Sequence, residues 1–181
     1  AAARIIDTLS STDRCAVLTV SDRIERPPGL PNGLIEATDR NRFRAVEHLA
    51  GVESHGASEL FAPLRAGLTL LRESHGRDAV VVLVTDGQVG NEDQLLRGLA
   101  ADLRRVRVLA VGIDQAVNAG LLSRLASAGG GHCELVESED RLDEAMEAIH
   151  RRVGRPFAHS LSVHGAGLTI IDDTTTPARI P

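Results

Sequence analysis

The hydrophobic pattern changes period along the chain, and each change marks an element. Ala79 to Val84 are six consecutive apolar residues, mostly β-branched, with no polar alternation; this predicts a strand buried on both faces, as in a parallel sheet. Cys15 to Val20 and Val106 to Val111 read the same way, and His132 to Val136 forms a fourth, shorter strand. Between them the spacing turns helical. Ile5, Ile6 and Leu9 form the end of a first helix, and Thr38 or Asp39 caps a second that runs to about Leu49 with Phe43, Val46 and Leu49 on its apolar side. Leu60, Phe61, Leu64, Leu68 and Leu71 mark a third helix, with Pro63 in its first turn. Leu95, Leu96, Leu99 and Leu103 mark a fourth, and Leu121, Leu122 and Leu125 a short fifth. The last helix, from about Ser138 to Val153, carries Leu142, Met146, Ile149 and Val153.

Strands alternating with helices predict an α/β fold, doubly wound around a mostly parallel sheet with helices on both faces. The segment from Arg23 to Asn32 holds three prolines and reads as a loop, with a short edge strand near Leu34-Ile35. Gly129-Gly130-Gly131 precedes a strand, so it is a turn and not a phosphate cradle, which needs glycines opening a helix. After Pro156 the pattern changes again. Phe157 to Val163 and Leu168 to Ile171 read as two strands joined by Gly165-Ala166-Gly167, which divides the chain into an α/β unit over 1–155 and a β-rich extension over 156–181.

Composition narrows the function classes. The 181 residues suit one α/β core, and 43% of them are hydrophobic. Aromatic residues make up only 2%, and the net charge is -5 with no long basic run, so neither base stacking nor phosphate neutralisation has a footprint; nucleic acid is excluded as an expected partner. All basic residues are arginine. No segment is long and apolar enough to insert in a membrane as a helix. Cys15 and Cys133 each sit in an apolar run and read as buried thiols. No pair of histidines has metal-ligand spacing: His159 and His164, five apart, face opposite sides of a strand.

The chemistry gathers at the end of the 79–84 strand, in Thr85-Asp86-Gly87-Gln88-Val89-Gly90-Asn91-Glu92. Ligands of open parallel sheets collect outside the carboxyl ends of strands, where Asp86 stands. Four stretches together resemble a von Willebrand factor type A domain: Cys15 to Asp22; Gly56-Ala57-Ser58-Glu59; Leu83 to Glu92; and Val111-Gly112-Ile113-Asp114 with Leu125-Ala126 and Gly129-Gly130-Gly131. The chain is most similar to bacterial proteins that pair this domain with the β-rich domain of inter-alpha-trypsin inhibitor heavy chains.

The resemblance implies a metal-ion-dependent adhesion site, in which a divalent ion (Mg²⁺, or Mn²⁺ or Ca²⁺) bridges to an acidic group of a protein ligand. Asp86 matches the family's Thr-Asp-Gly aspartate and Ser58 occupies the family's threonine position, keeping the hydroxyl. The Asp-x-Ser-x-Ser loop that supplies the remaining ligands has no counterpart, so metal binding is expected to be weak or absent. Glu92, Asp93 and Asp22 are further carboxylates, read as helix-start charges and a strand-end cap.

The resemblance also places Ala1 to Leu9 at the end of the family's first helix, with the preceding central strand missing. Either Cys15–Val20 and Ala79–Val84 close ranks, or a foreign strand fills the slot, giving a strand-exchanged homo-oligomer. The implied role is protein interaction, not enzymatic turnover, with the cell envelope or exterior favoured by the β-rich tail. Two alternatives stand beside it, an intracellular adaptor of an ATPase and a metal-dependent hydrolase using Asp86. The second lacks support in the motif, because a nucleophilic aspartate wants a carboxylate two residues on, where Gln88 stands.

Overall fold

The computed structural model describes residues 2–52, 59–74, 76–86, 92–114, 117–138, 141–153, 158–159 and 179–180. Its centre is a three-stranded parallel sheet of β5 (Val80–Thr85), β6 (Arg107–Ile113) and β7 (His132–Val136), in that spatial order. Val80 is level with Arg107 and Thr85 with Gly112; Leu109 is level with His132 and Ile113 with Val136. Each crossover between these strands is a helix, α4 (Glu92–Leu103) and then α5 (Ala119–Ala128), as parallel pairing requires.

The alternation of side chains along each strand sorts the core into two layers. Val81 and Leu83 of β5, with Val108 and Ala110 of β6, face α3 (Phe61–Leu71), α4 and α5 through Leu64, Leu68, Leu95, Leu99, Leu121, Leu122 and Leu125. Val80, Val82 and Val84, with Leu109 and Val111, face α1 (Ala2–Asp7) and α6 (Leu142–Val153) through Ile5, Met146 and Ile149. The expected doubly wound architecture is therefore present. Two glycines let neighbouring elements within these layers approach. A Cβ on Gly131 would lie 2.0 Å from the Val108 carbonyl oxygen, and one on Gly98 would lie 2.7 Å from the Phe61 ring.

The first third of the chain departs from expectation. Cys15–Val20 is not one buried strand. Only its ends are extended, as β1 (Arg14–Cys15) and β2 (Thr19–Val20), which pair antiparallel with β4 (Ile35–Glu36) and β3 (Ile24–Glu25). Ala16 is exposed and the remainder of the run is half-buried. The expected edge strand near Ile35 is present, whereas β3 was not anticipated in its proline-rich surroundings.

Among the described residues β2 forms no ladder with β5, so Cys15–Val20 and Ala79–Val84 do not close ranks. Antiparallel hairpin partners nearby in sequence satisfy β1 and β2 locally, at lower closure cost than a distant parallel pairing. α2 (Asp39–Ala50) starts as predicted, with the Asn41 N–H donating to Thr38 Oγ1 at 3.4 Å. Its inward residue is Ala45, however, and Phe43 is 68% exposed. In the tail, β8 (Ala158–His159) pairs antiparallel with β9 (Arg179–Ile180). The strand expected over 168–171 lies outside the described residues.

Candidate functional site

The carboxyl ends of β5 and β6 open at the same edge of the sheet, because the strands are parallel and in register from Val80↔Arg107 to Thr85↔Gly112. Asp86 is the first residue beyond β5 and is exposed. Asp114 leaves β6 at the same end with a φ of 84°, in the left-handed region that aspartate tolerates better than most residues. Its N–H donates to the Val136 carbonyl at 3.0 Å, which carries the β6–β7 pairing one residue past Ile113. Ser58, the other metal-site residue expected from the sequence, lies outside the described residues.

The neighbouring carboxylates are committed elsewhere. Asn118 caps α5, its Oδ1 accepting from the Leu121 N–H at 3.0 Å, and its Nδ2 donates to Glu92 Oε1 at 2.6 Å. Arg124 lies 3.5 Å from Glu92 and donates to Asp93 at 3.0 Å. That hydrogen bond, and the charge behind it, hold the Asp93 carboxyl below its ordinary range. Glu92 and Asp93 thus tie the first turn of α4 to α5, in keeping with their reading as helix-start charges. They line an open cavity of about 420 Å³ with Gln94, Arg97 and Arg124, and Asp86 is not part of it.

Asp22 stands in the β2–β3 turn, where the Ser21 hydroxyl donates to it at 2.9 Å and lowers its pKa. The polar network around Asn118 is what sequence reasoning missed. An asparagine directly before an apolar helical run is a capping signal that could have found it.

A six-coordinate divalent ion needs several oxygens converging on one point. Among the described residues no group of three or more histidine, cysteine, aspartate or glutamate side chains could hold a metal. At the β5 tip the described donor expected from the motif is the single carboxylate of Asp86. This set does not fit a tightly held ion. The two cysteines are free thiols, half-buried rather than fully buried, and burial raises the pKa of each.

The model of the von Willebrand factor type A domain matches residues 1–148. The chain belongs to this family. Its fold agrees with a von Willebrand factor type A protein from Catenulispora acidiphila at a TM-score of 0.76, with 19% identity over 87% of this chain and 38% of that one. It is also similar to proximal thread matrix protein 1 from the mussel byssus, solved with a zinc-occupied MIDAS motif (TM-score 0.61, 20% identity, 83% of this chain and 38% of that one). Among curated proteins it is 24% identical over 109 residues to von Willebrand factor A domain-containing protein 5A of Rattus norvegicus, covering 60% of this chain. The chain spans 13% of that relative's length. Von Willebrand factor type A domains are protein-interaction modules that hold a divalent metal at the MIDAS.

Proposed function

We propose that this chain is a protein-interaction module that meets an acidic group of a partner protein at the carboxyl end of β5, without catalysing a reaction. The observation that carries this reading is Asp86 itself, exposed at the tip of a parallel strand in a domain of this family. Ser58 is the second contributor proposed. The donor set supports weak binding of Mg²⁺ or Mn²⁺ at most, because one carboxylate and one hydroxyl leave most of the shell to water. The β-rich residues from 156 onward are proposed as a separate unit, which favours an envelope or extracellular setting.

Calorimetric titration of Mg²⁺ and Mn²⁺ into the chain and into Asp86→Ala tests the site. The expected result is weak binding or none for the chain, with any binding lost in the variant. Tight binding that Asp86→Ala leaves unchanged would show that the site is elsewhere. An array of aspartate- and glutamate-bearing peptides, probed with and without Mn²⁺, tests the partner class. Capture that is unaffected by Asp86→Ala and indifferent to their carboxylates would refute it.

A further inference from the structure

The outward face of α2 is a second place where this chain can meet a protein. Ala45 turns toward the body of the domain, and the opposite side of the helix carries Arg40, Phe43, Glu47 and Ala50, all exposed. These residues recur three and four positions apart, the spacing of a stripe by which one helix packs along another. Phe43 is the most exposed large apolar side chain among the described residues. Single apolar residues are common on surfaces, so Phe43 by itself argues little. The charges on either side of it argue more.

Arg40 lies in the first turn of α2 and Glu47 in the last. A helix by itself prefers the reverse, because its amino end is positive and its carboxyl end negative. Two turns separate the pair, roughly 10 Å along the axis, too far for them to meet each other. Among the described residues neither forms an ion pair. The other charges nearby are committed: Arg42 donates to Asp39 at 2.5 Å, and Arg44 to the Gly29 carbonyl at 2.9 Å.

We infer that α2 packs antiparallel on α2 of a second copy of this chain, about a two-fold axis that crosses the helix between Phe43 and Arg44. That register sets Arg40 opposite Glu47 of the second copy in both directions and brings the two Phe43 rings together at its centre. It also reverses the dipole penalty. Antiparallel packing lays Arg40 beside the carboxyl end of the other helix and Glu47 beside its amino end. The contact is isologous, so it closes at a dimer. It is one helix face wide, less than a stable dimer buries, so the association is weak and reversible.

Sedimentation velocity across a dilution series, in low and high salt, reads the mass. The expected result is a monomer–dimer equilibrium that salt weakens, since the paired charges are near the surface. Phe43→Ser should raise the dissociation constant by about tenfold or more and leave the circular dichroism unchanged. Arg40→Glu sets like charges opposite each other at both ends of the contact, and so does Glu47→Arg. Each agrees with the helix dipole and should fold, yet each alone should sediment as a monomer. Mixed in equal amounts, the two charge variants should associate again, because every pair across the axis then joins opposite charges. A wild-type monomer at every concentration overturns the inference, as does a dimer indifferent to Phe43→Ser. Charge variants that dimerise singly like wild type, or a mixture that stays monomeric, overturn it as well. If Phe43→Ser fails to fold, the charge variants decide.

Discussion

Adding one methyl group at Gly131 and at Gly120 should have opposite effects, and the structure supplies both signs. At Gly131 a Cβ would lie 2.0 Å from the carbonyl oxygen, 2.6 Å from the carbonyl carbon and 2.8 Å from the amide nitrogen of Val108. All three atoms belong to the backbone of the central strand, whose neighbours Leu109 and Ala110 are fully buried. No rotamer change can relieve the clash. Either β6 moves, disturbing its ladders with β5 and β7, or the turn into β7 is displaced. Overpacking a core usually costs about 1–3 kcal/mol, and a backbone collision belongs at the top of that range or above it.

At Gly120, in the first turn of α5, the nearest neighbour to a new Cβ is Asn118 Oδ1 at 3.6 Å, an ordinary contact. There the substitution removes unfolded-state freedom and should stabilise by roughly 0.5–1 kcal/mol. Urea unfolding of both alanine variants, with unchanged slopes, reads the two values from the midpoints. If Gly131→Ala lies within a few tenths of a kcal/mol of wild type, or if both variants shift the midpoint the same way, the close approach of the 129–131 turn to β6 is wrong.

Asn118→Ala should destabilise by about 1–2 kcal/mol by chemical denaturation, because it removes the α5 cap and the bond to Glu92 together. Asn118→Asp should recover much of the cap but lose the donor to Glu92. Arg72 donates to both oxygens of Asp102, at 2.9 and 2.7 Å, and these hydrogen bonds hold the Asp102 carboxyl below its ordinary range. A carboxyl lowered in the folded state contributes stability that is present above its unfolded pKa and is lost as pH falls through the folded value. Arg72→Ala should therefore lower the melting temperature slightly near neutrality and flatten its fall with acid, the difference from wild type shrinking as pH drops below about 4. Phe43→Ser, at a side chain 68% exposed, should alter stability by less than about 0.5 kcal/mol.

Much of the α/β core was legible because its signals are local and redundant. Val80–Thr85 could be read as a parallel strand from its length, branching and lack of alternation, and β6 carried the same signature. Leu95, Leu99 and Leu103 recur at helical spacing, and each is buried where the pattern puts it. The first third was harder, for a physical reason. Cys15–Val20 has the composition of a buried strand, but composition does not say which neighbour a strand finds, and here the ends of the run pair with separate short strands. Phe43 shows the same limit. Helical spacing placed it beside Val46, yet the helix is rotated so that Ala45 faces inward, and the small residue lets α2 approach closely.

The site divides along the same line between what one segment carries and what several must bring together. Asp86 was legible because strand, turn and carboxylate are contiguous, so one stretch of sequence specifies both the residue and its place at the carboxyl end of the sheet. A metal shell is different: its oxygens come from separate loops, and each loop's position depends on the packing of a different strand. Glu92 and Asp93 lie within seven residues of Asp86, but the structure commits them to Asn118 and Arg124 on α5. Proximity in sequence to Asp86 therefore does not make a carboxylate its partner in a site. The cap that α5 requires and the ion pairs that Arg124 offers claim those oxygens first. Among the described residues the end of β5 presents the exposed carboxylate of Asp86, a group suited to contact with a partner and insufficient to hold an ion tightly without oxygens from elsewhere.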